Sequence, residues 1–168
     1  LMPNKFRISY SQTENVDQID DIQHPIIRES LKYLKLDGPL EVTVFADIPA
    51  KTGLGSSSSF TVGLLHALHT AKGEAISPDR LAEEAAYIEI DVLNRPIGKQ
   101  DHYAPAFGGI NEIKFMPDDS VIVNPVICSS QMRRHFFDHV MAFYTYQTRD
   151  SNSILAEQKQ NTIHKLET

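Results

Sequence analysis

The chain holds a single cysteine, Cys128, in 168 residues. One thiol cannot close an intramolecular disulfide, and the count alone excludes a cysteine-rich zinc site. A reducing, cytoplasmic setting is expected. Positive charge is also in short supply, with a formal net charge of −6 and a pI near 5.6. No cationic field is therefore available to gather nucleic acid or an anionic membrane surface. Long hydrophobic runs are missing too. No stretch of about 18 apolar residues could cross a bilayer, and the first residues lack the basic-then-apolar order of an export signal. What remains is a soluble chain, 41% hydrophobic and 23% charged, with length for one sizeable core. Leu1-Met2-Pro3 and Lys165-Leu166-Glu167-Thr168 read as arbitrary ends, so a truncated polypeptide is expected.

Hydrophobic spacing predicts a mixed α+β order of elements. Phe6, Ile8 and Tyr10 alternate as one face of a strand, and residues 11–23 read as a polar connection. Ile26, Ile27, Leu31, Leu34 and Leu36 recur at roughly helical spacing behind Pro25, and Gly38-Pro39 ends that run. Residues 40–46 alternate and are β-branched, which predicts a strand. A helix is expected over 60–72, stopped by Gly73, and another from Ser77-Pro78-Asp79 to about Leu93, broken by Asn94-Arg95-Pro96. Gly108-Gly109 makes a turn before a hairpin over 110–115 and 121–127. A strand over 139–146 and a helix over 153–167 complete the expectation.

Between the second strand and the second helix-forming stretch lies Gly53-Leu54-Gly55 followed by Ser56, Ser57, Ser58 and Ser59. The unpaired N–H groups of a helix start point outward at such a junction and favour an anion. Gly53 and Gly55 permit positive φ and close backbone approach, and serine hydroxyls can bond a phosphate oxygen or a magnesium ion without bulk. This is not the loop of P-loop proteins, because serine stands where their lysine follows the last glycine, and a dinucleotide fingerprint also fails. A serine-rich helix cap after a tight turn would use the same residues. The flanking strand and helix favour phosphate.

Two carboxylates stand out downstream. Steps of three and four link Ala82, Ala85, Ala86, Glu89 and Leu93, so Glu89 lies on a small-residue face able to pack closely. A buried carboxylate there needs a metal, a cation or a proton, which leaves a metal role and a structural ion pair both open. Glu83 and Glu84 are expected to be solvated. Asp101 follows a glycine-containing approach that would place it at a cleft edge outside any regular element, to orient or deprotonate a hydroxyl or simply to form a turn. Lys99 could offset phosphoryl charge or be an ordinary surface lysine. His66 and His69 are expected on the wet side of their helix. His135 and His139, four apart, could ligate metal only on a helix, against the strand expected from Val140 onward. No histidine is assigned a role.

The loop over 49–59 resembles the second motif of the GHMP kinases, which phosphorylate galactose, homoserine, mevalonate and related small molecules. Gly98-Lys99-Gln100-Asp101-His102-Tyr103 with Phe107-Gly108-Gly109 is similar to the D-glycero-D-manno-heptose 7-phosphate kinase branch. The resemblance implies a ribosomal-S5-like N-terminal half with left-handed β-α-β character over 1–145, lacking its first strands. It also implies that 146–168 begins a ferredoxin-like C-terminal domain that is mostly absent. The first motif should precede Lys5 and the third should lie beyond Thr168. ATP and Mg2+ are the implied cofactors, with Gly53, Leu54, Gly55, Ser56, Ser57 and Ser58 on ATP, Ser57 and Glu89 on the metal, and Asp101 as base or orienting acid. The implied reaction is phosphorylation of the anomeric hydroxyl of a heptose 7-phosphate, and a fragment this short is expected to be inactive by itself. Arg149 is a candidate bidentate contact to a sugar phosphate, or a surface arginine. The implied partners are a small sugar phosphate and ATP, without nucleic acid or membrane, and a homo-oligomer is left open. Another sugar kinase of the family, of fucose or galactose type, and a non-catalytic nucleotide- or sugar-binding module are the alternatives.

Overall fold

A computed structural model describes residues 5–47 and 53–143. Strand β1 (Phe6–Ser9) lies between β2 (Thr13–Val16), antiparallel to it, and β3 (Leu40–Thr43), parallel to it. Phe6 faces Val16 and Leu40 across the two ladders, and Ile8 faces Glu14 and Val42. Period-two alternation therefore sends Phe6 and Ile8 to a fully buried face, while Arg7 and Glu41 pair at 3.6 Å on the exposed one. The buried face meets helices α1 (Pro25–Tyr33), α2 (Ser56–Ala71) and α3 (Pro78–Ala86) in one core built from Ile26, Ile27, Leu31, Leu64, Leu65, Leu68, Leu81 and Ile88. Ser77 caps α3 through the Arg80 N–H at 3.4 Å, with Pro78 in the first turn, as its sequence predicts.

Three expectations change. The connection over 11–23 contains β2, hidden because one of its two inward positions is Glu14, whose carboxylate accepts from the Tyr10 hydroxyl and from the Gln23 and His24 N–H groups. A polar residue on the inner face erased the alternation that marks a strand. Residues 139–143 form no strand. Helix α5 (Ser130–Asp138) precedes them instead, capped by Ser129, which accepts from the Met132 N–H at 3.1 Å. His135 and His139 thus sit on and at the end of a helix, rings 4.3 Å apart, with His139 Nδ1 bonded to the His135 carbonyl. No group of three or more metal-ligating side chains occurs among the described residues. A further helix, α4 (Gln100–Phe107), was not foreseen. The hairpin is present as β4 (Asn111–Phe115) and β5 (Val121–Pro125). The helix expected over 153–167, the remainder of the 139–146 strand, Arg149 and the second domain from 146 lie outside the described residues. No described helix is long and apolar enough to cross a membrane.

Candidate functional site

Helix α2 starts without a side-chain cap. Its N-cap residue is Gly55, at φ +66°, and Gly53 before it has φ +76°. Only glycine adopts this left-handed region at little cost, so both positions are set by the turn. The first helical bond runs from the Ser59 N–H to the Gly55 carbonyl at 3.0 Å, which leaves the N–H groups of Ser56, Ser57 and Ser58 ahead of it without an intrahelical acceptor. The positive end of a 16-residue helix is thereby left open beside exposed Leu54 and Ser56.

Asp101 closes on this opening. A Cβ placed on residue 55 would stand 3.0 Å from Asp101 Cγ and 3.2 Å from its Oδ2, so glycine is required at 55 for space as well as for φ. The exposed Asp101 carboxylate makes no hydrogen bond among the described residues. The approach over 94–99 is irregular as expected, but Asp101 itself lies in the first turn of α4, which corrects its placement outside any regular element. Pro105 masked that helix. Its ring nitrogen cannot bond the carbonyl four residues back, at Asp101, yet α4 runs on to Phe107 and ends at Gly108, φ +62°.

Glu89 lies on the alanine face, with Ala82 and Ala85 as fully buried as itself. Here α3 widens into a single π turn (Tyr87–Val92), with the Leu93 N–H reaching the Ile88 carbonyl at 2.9 Å. Such turns displace a side chain from the helical register and recur at functional sites. The Ser57 hydroxyl donates to Glu89 Oε1 at 2.5 Å, Arg95 Nη1 donates to Ser57 Oγ at 2.6 Å and also to Glu89 Oε1, and His102 Nε2 meets Glu89 Oε2 at 3.0 Å. Burial pushes the Glu89 carboxyl up, but hydrogen bonds from His102 and Ser57 and the Arg95 charge outweigh it and hold the group down at about 2. The carboxylate is thus ionised with 0% of its surface exposed.

Arg95 and His102 were not assigned by sequence reasoning. Arg95 reads locally as part of a helix-breaking Asn-Arg-Pro, and its contact with Ser57 spans 38 residues. His102 neighbours Asp101 on α4 but faces Glu89, and its Nδ1 is buried without a partner among the described residues. Two solvation expectations are also corrected. Glu84 is 4% exposed and His69 1%, because His69 Nε2 meets Glu84 at 2.7 Å, its Nδ1 meets Glu74 at 2.8 Å, and Arg80 pairs with Glu84 at 2.8 Å. The pairing satisfies charges that would otherwise be costly inside. His66 is exposed, as expected, and Lys99 pairs with Asp119 at 3.1 Å.

Residues 25–109, half of the chain, match the GHMP kinases N terminal domain. The chain belongs to the GHMP kinase family. Its relatives include the D-glycero-alpha-D-manno-heptose 7-phosphate kinase of Campylobacter jejuni, 30% identical over 68% of this chain and 34% of that protein. A homoserine kinase of Clostridium botulinum is 32% identical over 79% of this chain and 43% of its own length. Among solved structures, a D-glycero-D-manno-heptose 1-phosphate kinase from Bacteroides thetaiotaomicron superposes with a TM-score of 0.68 at 26% identity, over 76% of this chain and 45% of that one. The chain therefore spans between about a third and a half of the length of these relatives, and the expected truncation relative to full-length GHMP kinases holds. Phosphotransfer to a small molecule is the activity common to the family members, whose acceptors differ.

The donor set of this GHMP kinase chain suits a hard cation. Ser57 Oγ and Glu89 Oε1 are both oxygen donors, they converge beside open helix N–H groups, and they already attract the cationic Arg95. Two protein oxygens are few for calcium but fit magnesium, which takes most of its ligands from phosphate and water.

Proposed function

We propose that this chain carries the nucleotide-binding half of an ATP- and Mg2+-dependent sugar kinase, whose acceptor is the anomeric hydroxyl of D-glycero-D-manno-heptose 7-phosphate. The observation that carries the reading is the convergence on the α2 N-terminus of three serine N–H groups without an intrahelical acceptor, the Ser57–Glu89 oxygen pair and the Asp101 carboxylate against Gly55. Heptose phosphate as acceptor rests on the names of two relatives and is the finer part of the proposal.

In this reading the N–H groups of Ser56, Ser57 and Ser58 and the backbone of Gly53 to Gly55 hold the ATP phosphates, and Ser57 and Glu89 hold the metal. Bound magnesium would neutralise charge on the phosphoryl oxygens. Asp101, without a hydrogen-bond partner among the described residues, is free to accept a hydrogen bond from the sugar hydroxyl and to take its proton as the new O–P bond forms and the bond to ADP breaks. The N-terminal kinase domain is taken to cover 1–145, with 146–168 opening the second domain and Arg149 as a sugar-phosphate contact. Phosphoryl transfer demands mainly position and charge neutralisation, which this set can supply.

Because this chain is expected to be inactive by itself, the test is turnover of the full-length kinase with ATP and Mg2+ on a panel of heptose 7-phosphate, galactose and homoserine, wild type beside Asp101→Asn. The heptose phosphate should be the preferred acceptor, and the variant should lose about 100- to 10,000-fold in kcat. Turnover unchanged by Asp101→Asn removes the residue from the chemistry, and preference for another acceptor removes the heptose assignment.

A further inference from the structure

Among the described residues, Arg95 is the one cation that touches both members of the Ser57–Glu89 oxygen pair. Nη1 donates to Ser57 Oγ at 2.6 Å and to Glu89 Oε1, and the Arg95 backbone N–H donates to the Glu89 carbonyl at 3.0 Å. The arginine is delivered there by the end of the π turn and by Asn94, held at φ +51°. Its side chain is 25% exposed, so it lies at the mouth of the pair while Glu89 behind it is sealed by His102. Without Arg95 the buried Glu89 would keep only a hydroxyl and an imidazole as partners, too little for an ionised carboxylate in a low-dielectric surround.

We propose that Arg95 is a built-in counter-ion that occupies the cation position between Ser57 and Glu89, competes with the divalent metal for it, and must withdraw toward the phosphates when metal and nucleotide enter. The inference rests on the phosphoryl-transfer reading above. Its physical basis is exclusion. A guanidinium nitrogen within hydrogen-bond distance of both oxygens leaves no room for a metal bridging the same two atoms, and like charges cannot share one carboxylate oxygen without mutual repulsion. Withdrawal has a natural destination, because a metal-triphosphate remains an anion and arginine forms charge-assisted bonds to phosphate. Arg95 is thus a positioning residue. Before loading it keeps Glu89 charged and in register with Ser57, and it sets the metal affinity by the cost of its displacement.

The experiment uses Mn2+ alone as the probe, read by electron paramagnetic resonance of the free ion, and then Mn2+ with ADP. If Arg95 competes for the position, Arg95→Met should bind Mn2+ at least about tenfold more tightly than wild type. Arg95→Lys, which keeps the charge but not the two-acceptor geometry, should fall between them and carries the comparison if the methionine variant does not fold. Arg95→Met should also melt lower in EDTA and regain stability on adding Mn2+, and Arg95→Met with Glu89→Gln should show no such recovery. A merely structural arginine would lower stability without raising metal affinity. Equal or weaker Mn2+ binding by the folded variants overturns the competition while leaving the kinase reading intact. Failure of wild type and variants alike to hold Mn2+ even with ADP overturns both.

Discussion

Residues 5–107 and 111–143 of the same chain treat their apolar side chains in opposite ways. Every buried core residue among those described lies between Phe6 and Tyr103, whereas nothing in 111–143 is buried and Ile127 is 97% exposed. The second region is a hairpin and a capped helix whose regular structure comes from ladder bonds and a local cap. It leans on the first through the Tyr103–Phe115 edge contact at 6.1 Å and the Lys99–Asp119 pair. Each residue placed at the candidate site among the described residues belongs to the first region. Holding an ionised carboxylate at zero exposure requires partners fixed from several directions, and only a packed surround fixes them.

The sharpest way to break this contrast is Glu89→Ala, which leaves Arg95 and His102 around a vacated charge and should cost about 3–5 kcal/mol in urea unfolding. A cost no larger than that of a surface change would mean the site is not held as described. Next in size, Leu65→Ala in the core should cost about 2–5 kcal/mol, against less than about 1 kcal/mol for Ile122→Ala on β5. Comparable losses at the two positions would erase the distinction between the regions.

Acid unfolding sharpens it further. The folded Glu89 value lies below that of the unfolded chain, so its contribution is complete above about pH 4.5 and is lost as pH falls toward 2. The gap corresponds to about 3 kcal/mol. Stability measured by denaturant titration across that window should fall more steeply for wild type than for Glu89→Gln. Within the site, the smallest effect on stability belongs to Gly55→Ala, about 1–2 kcal/mol for the left-handed backbone. Its added Cβ meets Asp101, so kcat of the full-length kinase should drop by more than the loss of stability accounts for.

Much of the packed region could be read from the sequence. The loop was visible because Gly53 and Gly55 punctuate the chain between a β-branched run and a long apolar helix, and Glu89 because the alanines at 82, 85 and 86 mark a close-packing face. What escaped depends on contacts remote in sequence or on atypical local chemistry. Arg95 reaches Ser57 across 38 residues, and the pairing of His69 with Glu84 turns two polar side chains inward. Glu14 on the inner face disguised β2, and Pro105 disguised α4. Helix α5 escaped because no residue of it is buried, so no core-facing pattern separated it from the apolar run that follows.

The central claim is that the start of α2, with Asp101 against Gly55, is a nucleotide phosphate site. Calorimetric titration with a non-hydrolysable ATP analogue and Mg2+, wild type beside Gly55→Val, tests it most directly. The account predicts one nucleotide bound by wild type, and an affinity lower by about a hundredfold in a still-folded variant whose branched side chain suits neither the φ of +66° nor the space before Asp101. Equal binding by the two proteins, or none by either, would contradict it.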